Sequence, residues 1–157
     1  VLHFDDLRYV VDRAEPKSAE DSRFSTQHIL AYQMIHGECN LKTCTEESVK
    51  DPQLAEARKK VKVVYHPEYG KRYMTGEGRI DLKVKGGKVF SGGQDQPYGG
   101  PKYPLTMDQV VEIYRKYCRG ILSDAQIERS KEIILNLENE PDIKELADIC
   151  TFRHLAK

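Results

Sequence analysis

The sequence predicts an α+β fold: a small, mostly antiparallel sheet with packed helices over residues 1–104, then an all-helical segment over residues 105–157. Three observations predict it. Residues 79–85, Arg-Ile-Asp-Leu-Lys-Val-Lys, alternate strictly between polar and apolar, the period of a strand with one face on a core and the other in water. Gly86 and Gly87 then supply a two-residue turn, and residues 88–91, Lys-Val-Phe-Ser, return as the partner strand. From Thr106 onward only helical patterns remain, and residues 106–109, Thr-Met-Asp-Gln, and 123–126, Ser-Asp-Ala-Gln, both read as capping boxes.

The totals set the bounds. A chain of 157 residues is long enough for one domain with a real core, or for one domain and an appendage. Lys plus Arg number 25, and so do Asp plus Glu. No basic field exists to hold a phosphate backbone, so nucleic acid is not expected as a partner. Membrane insertion is not expected either, because no apolar run approaches the roughly 20 residues a span needs. Val1-Leu2-His3-Phe4 opens with neither a basic start nor an apolar run, so no secretory signal is read there. Val1 also stands where an initiator methionine would, and the chain reads as if cut from something longer. Cys39, Cys44, Cys118 and Cys150 show no two-residue spacing of a zinc or redox pair. Free, mostly buried thiols in a reducing cytoplasm are expected, with no metal and no cofactor.

In chain order, residues 7–11 alternate well enough for a short strand. Residues 12–21 are polar, carry Pro16, and read as a loop. Residues 24–37 form a helix that Asp21, Ser22 or Ser25 can cap and that Gly37 ends in a left-handed conformation. A short helix follows over residues 43–50. Asp51-Pro52 then marks an N-cap with proline at the first helical position, leading into residues 53–59. Arg58, Lys59 and Lys60 fall at that helix's C-terminus, where cations suit the macrodipole and a solvated face is expected. Residues 61–66 are β-branched and read as a strand. Residues 92–104, rich in glycine and proline, are either a surface linker or a loop that shapes a site. The last three helices put Val110, Val111, Tyr114, Tyr117 and Cys118 on one stripe. Ile127, Ile134 and Leu137 form a second, with Ile133 alongside. Ile143, Leu146, Ala147 and Cys150 form a third, in a helix starting near Pro141.

The helix over residues 24–37 is apolar almost all round and is expected to be buried. His28 lies between Tyr32 and Ile35 in its most apolar sector. An imidazole there costs free energy unless it finds a partner. The plainer reading is a core histidine with a backbone hydrogen bond. The sharper one is a helix whose start, residues 23–28, lines a cleft.

Phe24-Ser25, then His28 and a small-apolar helix ending in Gly37, resembles the phenylalanine-serine-x-x-tyrosine…glycine stretch of the MmgE/PrpD family. The Asp51-Pro52 helix followed by strand and hairpin is similar to that family too. So is Tyr103-Pro104-Leu105-Thr106, which resembles its asparagine-proline-leucine-serine helix start. Leu122-Ser123, then residues 135–138 with Asp142 and Leu146, resemble its closing helices. The resemblance runs from about Leu7 to Ile149.

It implies the following. Family members include 2-methylcitrate dehydratase, cis-aconitate decarboxylase and an epimerase of aminodicarboxylates, usually as two-domain homodimers. Residues 1–104 would be the α+β lid-type domain. Residues 105–157 would return to an N-terminal helical domain that this chain lacks. The expected function is a cofactor-free lyase on a small di- or tricarboxylate, of the 2-methylcitrate dehydratase type that serves propionate catabolism, with the isolated chain inactive. His28 takes the place of the family's active-site tyrosine and is the catalytic candidate. Both side chains can donate a hydrogen bond or shuttle a proton, although only imidazole titrates near neutrality. Arg23 and Ser25 at the helix start, with Tyr98 and Lys102 in the glycine-rich loop, are the substrate-binding candidates. Two other functions stay open: a partner-binding or split-enzyme subunit without chemistry, anchored by Tyr114, Tyr117 and Ile134, and an isomerase or epimerase of a small diacid.

Overall fold

The computed structural model describes residues 1–4, 11–66 and 78–151. The chain divides into two compact units, Val1–Pro104 and Leu105–Lys157.

The first unit is built on a four-stranded sheet in the order β2-β1-β3-β4. β1 (Leu2–Phe4) runs parallel to β2 (Val63–Tyr65) and antiparallel to β3 (Gly78–Lys83). β3 in turn pairs antiparallel with β4 (Val89–Gln94), with Leu82 opposite Phe90 and Ile80 opposite Gly92. The sheet is therefore mostly antiparallel, with one parallel pair at β1–β2. The hairpin forms on Gly86 and Gly87, whose φ values of 92° and 85° suit residues without a Cβ. The backbone of Val1 closes a further pair with Asp81, whose N–H donates to the Val1 carbonyl at 2.8 Å.

Two expectations change here. The strand read over residues 7–11 lies outside the described residues except for Val11, whose backbone is helical. The Ile80, Leu82 and Val84 face does not meet a core: these side chains stay 41%, 45% and 37% exposed. Alternation sorts apolar from polar side chains, but it does not supply a covering layer.

Four helices complete the unit. α1 (Ala19–Ser22) is a single turn capped by the Ser18 hydroxyl, inside the stretch read as a loop. α2 (Thr26–His36) starts at Ser25 and ends on Gly37 at φ 81°. α3 (Glu46–Lys50) opens with a capping box between Thr45 and Ser48. In α4 (Pro52–Arg58) the Asp51 carboxylate accepts from the N–H groups of Gln53 and Leu54, and the proline takes the first helical position. Ala31 and Tyr32 of α2 pack on Leu54 and Ala57 of α4, with Ile35 at the margin. α2 is thus buried on one face, not all round: Met34 within it is 47% exposed, and Phe24, expected inside the helix, precedes its N-cap and is 42% exposed.

The second unit holds α5 (Met107–Cys118), α6 (Asp124–Leu135), a 3-10 turn (Leu137–Asn139) and α7 (Lys144–Ile149). The capping boxes at Thr106 and Ser123 both form. Ile127, Ser130 and Ile133 are buried, whereas Ile134 and Leu137 are exposed. The packed stripe of α6 is therefore rotated from the expected one. Arg115 forks onto Glu128 at 2.7 and 3.1 Å to join α5 to α6, and Arg129 forks onto Glu145 at 2.8 and 2.6 Å to join α6 to α7. Beside them the Tyr114 hydroxyl meets the Ser130 hydroxyl at 2.6 Å.

Candidate functional site

The start of α2 is a hydrogen-bonded polar cluster sealed inside the first unit. Ser25 occupies the N-cap and is fully buried. Its Oγ accepts from the His28 N–H at 3.1 Å and donates to the Arg13 carbonyl. That cap places His28 in the first turn with its ring pointing inward, toward α3 and α4.

Both ring nitrogens are engaged. Nε2 lies 2.8 Å from the Thr43 carbonyl, and Nδ1 lies 3.0 Å from a guanidinium nitrogen of Arg58. A guanidinium can only donate, so Nδ1 accepts. Nε2 therefore carries the proton and donates to Thr43. Ser48, buried beside the ring, donates to the same carbonyl at 2.8 Å. Burial pushes the imidazole's pKa below its ordinary value. The Arg58 charge adds to that, and the Thr43 carbonyl opposes it. His28 is a neutral core histidine with no exposed surface. The plainer sequence reading, a core histidine with a backbone hydrogen bond, describes this geometry, in which both ring nitrogens are bonded within the first unit.

The other candidates fall elsewhere. Arg23 is exposed at the C-cap of α1. Ser25 is sealed from solvent, which leaves its hydroxyl no face to offer a substrate. Tyr98 is 72% exposed, its ring 6.0 Å from that of Tyr103. Lys102 pairs with Asp95, which also accepts from the Tyr103 hydroxyl at 2.9 Å. Lys102 holds the Asp95 carboxyl below its usual range, and Tyr103 assists. The Gly99 N–H closes the loop onto the Tyr103 carbonyl at 2.9 Å. This loop is tied to itself, and among the described residues no hydrogen bond or ion pair joins it to the α2 cluster.

Arg58 is the residue that sequence reasoning missed. The sequence places it with Lys59 and Lys60 on a solvated face, yet it is only 9% exposed. Besides the bond to His28, it donates to the Val49 carbonyl at 3.4 Å. The usable signal is spacing: Leu54, Ala57 and Arg58 stand at i, i+3 and i+4, the buried stripe of a helix. A cleft of about 320 Å³, lined by residues 14–17 and by Ala55, Arg58, Lys59 and Val61, opens beside it.

Comparison with known proteins places these features in a family. The profile of the MmgE/PrpD C-terminal domain matches residues 2–139. The chain is 26% identical to the cis-aconitate decarboxylase of Mus musculus over 142 residues, covering 90% of this chain and 29% of that protein. It is 26% identical to the cis-aconitate decarboxylase of Homo sapiens over 149 residues, covering 95% of this chain and 31% of that protein. The chain thus spans under a third of the length of these curated relatives.

Proposed function

Because this chain belongs to the MmgE/PrpD family through its C-terminal domain, we propose that it serves as the C-terminal portion of a lyase acting on a small tricarboxylate. The observation that carries this reading is the profile match over residues 2–139, joined to relatives that are decarboxylases of cis-aconitate. The reactions in question remove a proton or a carboxylate beside another carboxylate. They need a placed base and positive charge to stabilise what develops.

In this reading residues 1–104 act as the lid-type domain and residues 105–157 pack on a helical domain contributed by other polypeptide, within a homodimer in the cytoplasm. The apolar side chains of α5 support it: Val110, Ile113 and Tyr117 are each more than 40% exposed and call for a cover. His28 holds the lid together, and the reacting groups reside outside this chain. Alone, the chain turns over neither cis-aconitate nor 2-methylcitrate. The names of the relatives favour decarboxylation over the dehydration of 2-methylcitrate.

The test is to assemble the chain with the N-terminal helical domain of a MmgE/PrpD protein and to follow carbon dioxide release and water loss in parallel. Carbon dioxide release from cis-aconitate supports the decarboxylase reading, and water loss from 2-methylcitrate supports the dehydratase one. A stable assembly with neither activity leaves a partner-binding module and overturns the lyase reading.

A further inference from the structure

We propose that the cleft beside α4, which Arg58 helps to line, is a binding site for a small oxyanion. This goes beyond the lyase reading and does not depend on it. The argument starts from charge. Arginine stays protonated at every working pH, and buried charges are ordinarily paired with an opposite charge. Arg58 is nine-tenths buried. Its partners among the described residues are a neutral imidazole and one carbonyl, with no carboxylate. The C-terminal end of α4 supplies only partial negative charge. Its Nε–H makes no hydrogen bond among the described residues, which leaves a donor for a ligand.

The cleft that Arg58 lines is cationic. Lys17, Arg58 and Lys59 stand against one carboxylate, Glu15. Both lysines are exposed and already have acidic neighbours: Lys17 reaches Glu15 at 3.5 Å and Lys59 reaches Glu56 at 2.5 Å. Among the described residues, Arg58 is the cation of this cleft left without one. At about 320 Å³ the volume is at the lower end for small-ligand sites. It suits a phosphate or a short dicarboxylate, which a guanidinium can grip through two parallel N–H···O bonds. The class is a small oxyanion, and the source is decided by experiment.

The experiment titrates the whole 15N-labelled 157-residue chain with sodium phosphate, and separately with succinate, at constant ionic strength, following the Arg58 Nε–Hε resonance and the amides of Glu15 and Lys17. The expected result is a saturable shift at these positions; saturation by phosphate alone assigns an inorganic ion, and by succinate alone a carboxylate. Ala55→Glu provides the control that keeps Arg58 and its bonds in place. It sets a carboxylate three residues before Arg58 on the same helix face, so it should occupy the guanidinium and weaken anion binding by about tenfold or more, the worth of one charge-assisted hydrogen bond. It should also raise the thermal midpoint measured without added anion. Linear shifts with neither anion saturating, or equal binding by Ala55→Glu and the natural chain, would overturn the proposal.

Discussion

The Arg58 guanidinium donates to Nδ1 of His28 across 3.0 Å inside the first unit. This one bond fixes the histidine's tautomer, adds to the burial that keeps the imidazole neutral and gives the buried arginine one of its two partners among the described residues. It joins the first turn of α2 to the last turn of α4, the two helices that form the core of that unit.

Removing the imidazole should therefore act through stability. His28→Ala leaves the Thr43 carbonyl and Arg58 each short of a partner, and the expected loss is about 2–4 kcal/mol. His28→Gln, which can both donate and accept, should recover part of it. Urea unfolding of the three proteins measures the difference. An alanine variant as stable as the natural chain would contradict the hydrogen-bond assignment.

The burial of His28 predicts a pH dependence. The folded-state pKa of His28 lies below the ordinary 6.5, chiefly through burial. Above that value both states are neutral at this residue and its full contribution is present. As pH falls below 6.5 the unfolded chain takes up a proton that the folded chain refuses, so stability declines until the lowered folded value is reached. The slope approaches about 1.4 kcal/mol per pH unit for one proton. Unfolding midpoints between pH 7.5 and 5 should show this decline, and His28→Gln should remove it. Parallel profiles for the two proteins would count against it.

Gly37 ends α2 at φ 81° with open space where a Cβ would stand. The cost of Gly37→Ala is then backbone strain alone, about 1 kcal/mol. Gly37→Asn should cost less, since asparagine tolerates this conformation better. Thermal melts that rank the two variants equally would argue against a left-handed cap.

Two serine caps should differ in weight. The Ser25 hydroxyl is fully buried and bonds both the His28 N–H and the Arg13 carbonyl. The Ser123 hydroxyl caps α6 at an exposed site. Ser25→Ala should cost about 2 kcal/mol and Ser123→Ala nearer 1 kcal/mol. Hydrogen exchange in α2 and α6 reads each effect in its own helix, and equal losses would contradict the burial of the first cap.

Much of this was legible because it is written locally. Gly86-Gly87 between alternating strands, Asp51-Pro52, the capping boxes at Thr106 and Ser123, and Gly37 each act within a few residues. What was not legible is what depends on distant chain. Residues 61–66 read as a strand, but the partner that β2 takes lies 61 positions away in β1, a strand of three residues, too short for any periodicity to show. Ile80, Leu82 and Val84 alternate correctly, but whether their face is covered is not a property of the strand. Arg58 sits in a run of three cations, and only its place on the Leu54–Ala57 stripe distinguishes it from Lys59 and Lys60. His28 was located correctly in an apolar sector. Its role turned on Thr43 and Arg58, 15 and 30 residues away.

The most direct test is a 13C NMR time course of the purified 157-residue chain with labelled cis-aconitate and, separately, labelled 2-methylcitrate. The account predicts unchanged substrate in both tubes, with a folded protein throughout. Turnover by the natural chain that disappears in a folded His28→Gln variant would contradict it, since the imidazole would then be performing chemistry from a place where both its nitrogens are bound.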